Sequence, residues 1–220
     1  MVAITSDGRR PDSLPTMPRI RATSIDEHKA LTRTALLNAA KELIADTGTA
    51  EIPLGEIALS AGVGRTTLYD YFDDRDDLIA TLVEEELPGV VARLIESSSH
   101  LDAAAERLLD LAVRTVEFVV GDPVLGLILH REAGRMGPDA QQRIRIAHAG
   151  LADEMVALYF RGVEEGEFRA MPPELVGRLI QDTIMSAAKA VISAPEPQQR
   201  IAVVTEHLRL FLLGGLSFTG

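Results

Sequence analysis

Cysteine and tryptophan are both absent from this sequence of 220 residues. Without cysteine, a disulfide framework, a zinc–thiolate centre and a cysteine nucleophile are excluded together, and the composition fits a reducing cytoplasm. Aromatic residues make up only 4%, which disfavours an aromatic cage around a cation. Long apolar runs are missing as well. The stretch LFLLGGL at 210–216 falls far short of the ~18 to 20 residues that span a bilayer, and the N-terminus has no apolar signal core. A cytoplasmic protein without a membrane partner is expected. Lysine occurs at three positions, Lys29, Lys41 and Lys189, a bias that carries no mechanism. Strand-like alternation bounded by turns is absent throughout, so the chain is expected to be all-α.

What is present is acidic and apolar. Hydrophobic residues reach 46%, enough for a sizeable core, and the formal net charge is −11. A charge of that sign by itself argues against a polyanionic partner.

Residues 1–27 carry Gly8, Pro11, Pro15 and Pro18 without apolar periodicity and are expected to form a disordered arm. Arg9, Arg10, Arg19 and Arg21 against Asp7 and Asp12 give its first 25 residues a charge of 4 − 2 = +2. From His28 the helical period takes over, with Leu36, Leu37, Ala40, Leu43 and Ile44 on one face and a glycine stop at Gly48. A short helix is expected from Pro53, a third after Gly64, and a fourth from DDRDDL to at least Leu87, where Pro88 should kink or end it. Further helices are expected near 101–121, 123–135, 139–165, 173–193 and 198–213. The punctuation thus predicts about nine helices.

The most informative stretch is EIALSAGVGRTTLYDYF, Glu56 to Phe72. Its Gly-x-Gly resembles a phosphate-binding loop, but a dinucleotide fingerprint needs a preceding strand and a third glycine where Thr67 stands. A P-loop needs a Gly-Lys pair, and the chain has none. The remaining physical reading is a tight turn between two short helices, the helix-turn-helix unit that presents its second helix to the DNA major groove. Ile57, Ala58, Ala61, Val63, Leu68 and Phe72 would form its apolar seam. The opposite face then shows Arg65, Thr66, Thr67, Tyr69 and Tyr71, side chains that donate to phosphates or read base edges.

Residues 29–82, with LLNAAKELIADTG followed by EIALSAGVGRTTLYDYF and an acidic helix start, resemble the DNA-binding domain of the tetracycline-repressor (TetR) family. The resemblance implies a three-helix DNA-binding domain at 28–82 and a larger helical domain at 83–220 for effector binding and dimerisation. It adds Arg33 and Arg75 as backbone contacts, Arg75 standing where the family commonly has lysine. Two departures are visible. Pro53 replaces the usual hydroxyl cap of the second helix, and Asp70 sits on the recognition helix, where pairing with a neighbouring arginine is the expected role. Residues 29–82 also hold five basic against nine acidic side chains, 5 − 9 = −4.

The resemblance further implies that the last two helices join those of a second copy. Apolar residues on them nominate Ile180, Ile184, Ala187, Val191, Leu208, Phe211 and Leu212 for a homodimer interface. Two recognition helices ~34 to 36 Å apart would read a palindromic operator. An apolar effector pocket is expected around Phe118, His148, Met155, Tyr159 and Met185, although histidines and methionines are more often core or surface residues than ligand contacts. The implied protein is a repressor of double-stranded DNA released by a mainly apolar small molecule. No metal and no cofactor is expected, and no enzyme: none of the five histidines has an acidic residue three positions before it, as helical di-iron sites require. The acidic runs EEE at 84–86 and EEGE at 164–167 read as solvated helix surface. A same-fold interaction module that has lost DNA binding is the alternative. With the DNA-binding stretch net acidic, binding is expected to be salt-sensitive and confined to good operators. Retention of random duplex DNA at raised salt would contradict this.

Overall fold

The computed structural model describes residues 25–217; the arginine-containing arm lies outside the described residues except for its last three positions, which begin the first helix. Ten α-helices run through this span: α1 (Ile25–Thr47), α2 (Leu54–Ser60), α3 (Arg65–Leu68), α4 (Arg75–Ser97), α5 (Ala104–Gly121), α6 (Leu125–Leu127), α7 (Pro138–Ala147), α8 (Ala149–Glu164), α9 (Pro173–Ile192) and α10 (Pro197–Leu216). α6 widens into a π-helical turn, Ile128–Glu132, and then tightens into a 3₁₀ turn, Ala133–Arg135. Among the described residues the only strand-like pairing is a bridge between Phe168 and Ser217. The expected all-α architecture is present.

One expectation about helix ends is corrected, and of the two outcomes expected at Pro88, a kink or an end, the end does not occur. Residues 139–165, read as one helix, are α7 and α8, separated at His148 (φ −104°, ψ 5°). Pro88 does not end α4, which continues to Ser97. Proline removes one N–H and with it one bond to the preceding turn. Leu87 and Val91, both buried, hold the helix across that gap while Pro88 itself faces solvent.

The turn between α2 and α3 is built as its sequence suggests. Gly62 takes φ +69°, a conformation that costs a β-carbon residue energy and glycine nothing. Its N–H donates to Leu59 O at 3.1 Å and the next, Val63 N–H, to Ala58 O at 2.9 Å. These two bonds close the end of α2 in the Schellman pattern. At the start of α4, Asp74 accepts from Asp77 N at 2.8 Å, and Asp77 reaches back to Asp73 N at 2.9 Å. This reciprocal cap fixes α4 relative to the turn after α3.

The core has two parts. One gathers α1 to α4 and continues into Val124, Leu125, Ile128, Met136, Ala140 and Ile144. The other is formed by α5, α8, α9 and α10, with Leu108, Tyr159, Ile180 and Leu212 among its members. The first core therefore does not stop at residue 82, because α4 carries it across to α7. Close backbone approach joins the α5 end to α6: a β-carbon at Gly126 would stand 2.2 Å from the Val119 carbonyl oxygen. Backbone cannot swing aside as a side chain does, so Gly126→Ala is expected to cost about 1–3 kcal/mol of overpacking, read as a lower urea midpoint at unchanged slope.

Candidate functional site

The helix-turn-helix seam closes as its spacing requires: Ile57, Ala58, Leu68 and Phe72 are buried, with Ala61 and Val63 packed against them. α3 is short, and the chain continues as turns through Tyr71, whose N–H and that of Phe72 both bond to Leu68 O. With Leu68 and Phe72 turned inward, Arg65, Thr66 and Tyr69 are exposed, and Thr67 and Tyr71 are half-buried. Tyr71 lies against the first core, so its ring serves packing as well as any contact outside. Pro53 is the residue before α2 rather than its first residue, and no side chain caps that end.

The other cations near this face are engaged. Arg33 on α1 pairs with Glu85 of α4, and its guanidinium lies 6.0 Å above the Phe72 ring. Lys41 pairs with Glu86 at 2.5 Å, and Arg75 with Asp76 at 3.2 Å. Arg65 makes no ion pair among the described residues. Asp70, expected to pair with an arginine, is exposed and makes none either, because Arg65 and Arg75 are each directed elsewhere or to solvent.

The acidic run at 84–86 is not free helix surface. Each of its three glutamates takes a cation from another helix. Glu84 receives Arg143 of α7 through two bonds, 3.0 and 2.6 Å, while Glu85 and Glu86 hold Arg33 and Lys41 of α1. Arg143 also donates to Asp77 at 2.6 Å and to the buried Thr81 hydroxyl at 2.7 Å. Asp77, Thr81 and Glu84 follow one another at i, i+4 and i+7, so one guanidinium grips one stripe of α4. Nearby, Gly137 N–H donates to Asp76 at 2.8 Å. The hydrogen bond from Arg143 holds the Glu84 carboxyl below its ordinary value, and the same bond raises the guanidinium above its own.

Behind this contact lies a cavity of about 290 Å³. α4 lines it with Leu87, Val91 and Leu94, α5 with Thr115, Phe118 and Val119, and α8 with Leu151, Ala152, Met155 and Val156. α9 adds Gly177, Ile180, Gln181, Ile184 and Met185, and α7 with its end adds Gln141, Ile144, Arg145 and His148. Of the residues expected there, Phe118, His148, Met155 and Met185 take part. Tyr159 does not. It is buried in the second core, stacked on Phe168 at 5.9 Å between centroids, with its hydroxyl donating to Arg169 O and accepting from Met171 N, both at 2.7 Å. A phenol so satisfied on both sides ties the α8–α9 loop to α8. Sequence reasoning missed Gln141, Arg145 and Gln181, polar residues that single-face periodicity assigns to solvent. His130 lies outside the cavity; burial, then the charges of Lys189 and Arg131, hold its imidazole below the ordinary range.

The residues nominated for a dimer divide. Ile180, Ile184, Val191, Leu208 and Leu212 are buried against their own chain, in the second core. Ala187 and Phe211, with the outer edge of Leu208, line an outer groove between α9 and α10 together with Leu179, Val203, Val204 and His207. Phe211 is 67% exposed and Leu210 60%, so the stripe outside that core is itself apolar. α10 is apolar on more than one side, and only packing tells which is inner. Among the described residues no group of three or more histidines, aspartates or glutamates could hold a metal, and no helix is long and apolar enough to cross a membrane.

Replacing Arg143 by methionine is expected to keep the fold while loosening α7 from α4. Because the Glu84 carboxyl is held below its ordinary value, its contribution is complete above about pH 4.5 and is lost as pH falls further. Thermal midpoints followed from pH 6 to pH 3 should therefore fall less steeply in Arg143→Met than in the parent chain; equal slopes would remove the pair from the acid response.

Residues 36–82 match the family model of bacterial regulatory proteins of the tetR family. The fatty acid metabolism regulator protein of Bacillus subtilis is 23% identical over 180 residues, covering 81% of this chain and 93% of the relative. The HTH-type transcriptional repressor LfrR of Mycolicibacterium smegmatis is 39% identical over 82 residues, 36% of this chain and 42% of its own. A crystal structure of the transcriptional regulator FadR from Bacillus subtilis in complex with stearoyl-CoA shares the fold, with a TM-score of 0.70 at 22% identity over 83% of this chain and 98% of that one. A buried helix-turn-helix seam at the matched residues identifies residues 36–82 as a DNA-binding domain of the TetR family of transcriptional regulators, joined to a helical domain of the same fold as that structure.

Proposed function

We propose that this protein is a repressor that binds a palindromic operator as a homodimer and is released by a mainly apolar small molecule. The observation that carries this reading is the position of α4. It is capped onto the turn after α3 through Asp74 and Asp77, it is gripped by α7 through Arg143, and it forms a wall of the apolar cavity. A molecule that spreads the cavity must push on the helix that carries the DNA-reading unit. It acts only to the extent that it prefers the conformation that does not bind DNA.

Operator contact falls to Arg65, Thr66, Thr67, Tyr69 and Tyr71, with Arg33 and Arg75 reaching phosphates after exchanging their carboxylate partners. The apolar outer groove of α9 and α10, with Phe211 and Ala187, is the proposed contact with a second copy; the buried Ile180, Ile184, Val191, Leu208 and Leu212 support that surface from beneath. The stearoyl-CoA held by the FadR of similar fold puts long acyl chains among the candidate effectors. Action in the cytoplasm follows from a DNA target and fits the absence of cysteine.

A second reading, an interaction module of the same fold that no longer binds DNA, is favoured by one observation: Arg33, Lys41 and Arg75 are all occupied by carboxylates. Purified protein incubated with a genomic fragment library separates the two. Retention of one palindromic sequence by the parent chain, weakened at least roughly tenfold in Arg65→Ala and lost in Arg65→Glu, is expected for the repressor. Phe211→Glu should sediment as a monomer and lose operator affinity with it. An unchanged retained pool in Arg65→Glu, or no retained DNA at low salt, would favour the interaction module.

A further inference from the structure

The cavity is apolar on the walls from α4, α5 and α8, and α9 adds one polar residue, Gln181, to its aliphatic lining. α4, α5 and α8 turn aliphatic and aromatic side chains to it, and the Thr115 hydroxyl is already used, donating to Leu111 O at 2.7 Å. α7 differs. Gln141, Arg145 and His148 follow at i, i+4 and i+7 and form a polar strip on that wall. Gln141 spends one amide N–H on Met136 O at 2.7 Å, which leaves its other N–H and its carbonyl oxygen. His148 spends Nδ1 on Ile144 O at 2.8 Å, which leaves Nε2.

Arg145 stands out against its neighbour Arg143. Two positions apart on one helix, Arg143 is neutralised by Asp77 and Glu84, whereas Arg145 meets only the uncharged Gln142 and has no ion pair among the described residues. No aspartate or glutamate lines the cavity. Arg145 and Gln181 are exposed, which places them at its mouth rather than in its depth. A cation without a counter-ion beside a mainly apolar cavity attracts an anion whose remaining part is hydrocarbon, and the same field repels a cationic head.

From this arrangement we infer that the effector is an anionic amphiphile, its hydrocarbon body inside the cavity and its anionic head at the mouth on Arg145. The inference rests on the reading of this cavity as the effector site. A carboxylate and a phosphorylated thioester share the required chemistry, an acyl chain ending in negative charge.

The test is titration calorimetry of the full chain below micellar concentrations with dodecanoate, dodecanol, dodecyltrimethylammonium and dodecanoyl-CoA. Dodecanoate should bind roughly tenfold or more tighter than dodecanol, and the ammonium compound more weakly than either. Arg145→Gln, a change at an exposed position that leaves the fold intact by circular dichroism, should erase the difference and leave dodecanol affinity unchanged. A thioester that outbinds the free acid by a margin Arg145→Gln removes identifies the phosphorylated source; a tighter free acid identifies the carboxylate. Dodecanol or the ammonium compound binding as tightly as dodecanoate, or a preference that survives Arg145→Gln, would overturn the inference. Ala152→Phe fills the cavity and should weaken every probe. Loss of dodecanol binding in that variant without any head-group preference sinks only the anionic head, whereas dodecanol binding untouched by it sinks the effector site as well.

Discussion

Helix α4 is held from two sides, and the rest of the molecule is arranged around that fact. Leu78, Ile79, Leu82 and Val83 bury themselves among α1 to α3, while Leu87 and Val91, one and two turns later, face the cavity. Burial of each such side chain is worth about 1.5–3 kcal/mol. The exposed ion pairs from Glu85 and Glu86 to α1 are worth less, about 0–1 kcal/mol each. Apolar burial therefore supplies the stability, and the charges set where along α4 its neighbours sit. A helix continuous from the DNA-reading unit to the cavity leaves little slack between them, because packed interiors transmit displacement rather than absorb it.

Electrostatics on the DNA side follows from the same clasp. The stretch of net −4 is not relieved by this clasp: Glu85 and Glu86, which lie outside residues 29–82, occupy two of its five cations, Arg33 and Lys41, and of its own carboxylates Asp77 is the one met by a cation of α7. Arg65 is left outside this arrangement, and so is Asp70. Recognition then depends on few, well-placed groups, with a small contribution from counterion release.

α7 has two jobs on two stripes. Arg143 and Ala140 turn to α4, and Gln141, Arg145 and His148 to the cavity. Residues one or two apart on a helix point in different directions, so a ligand on one stripe can move the other without touching it. The π-helical turn and 3₁₀ turn that precede α7 bring it to this position after α5 ends, and Gly126 permits the close pass between them.

The sequence by itself determined the all-α class, the helix-turn-helix and its turn. These rest on local rules: a 3.6-residue period, a positive φ that glycine adopts freely at Gly62, and a cap in Asp74 and Asp77. Ile57, Ala58, Ala61, Val63, Leu68 and Phe72 were legible as the seam because both helices are short and adjacent, whereas Tyr71, assigned to the outer face, also packs on this core. Tertiary structure alone decided three things. It showed that Glu84, Glu85 and Glu86 bind other helices, since their partners lie more than forty residues away in the chain. It showed that the apolar face of α9 packs on its own chain, and it told the inner side of α10 from the outer, which periodicity could not do on a helix apolar on more than one side. And it placed Tyr159 in the core and Arg145 at the cavity, because whether a side chain meets hydrocarbon, a hydrogen-bond partner or an open mouth depends on which helix packs opposite it.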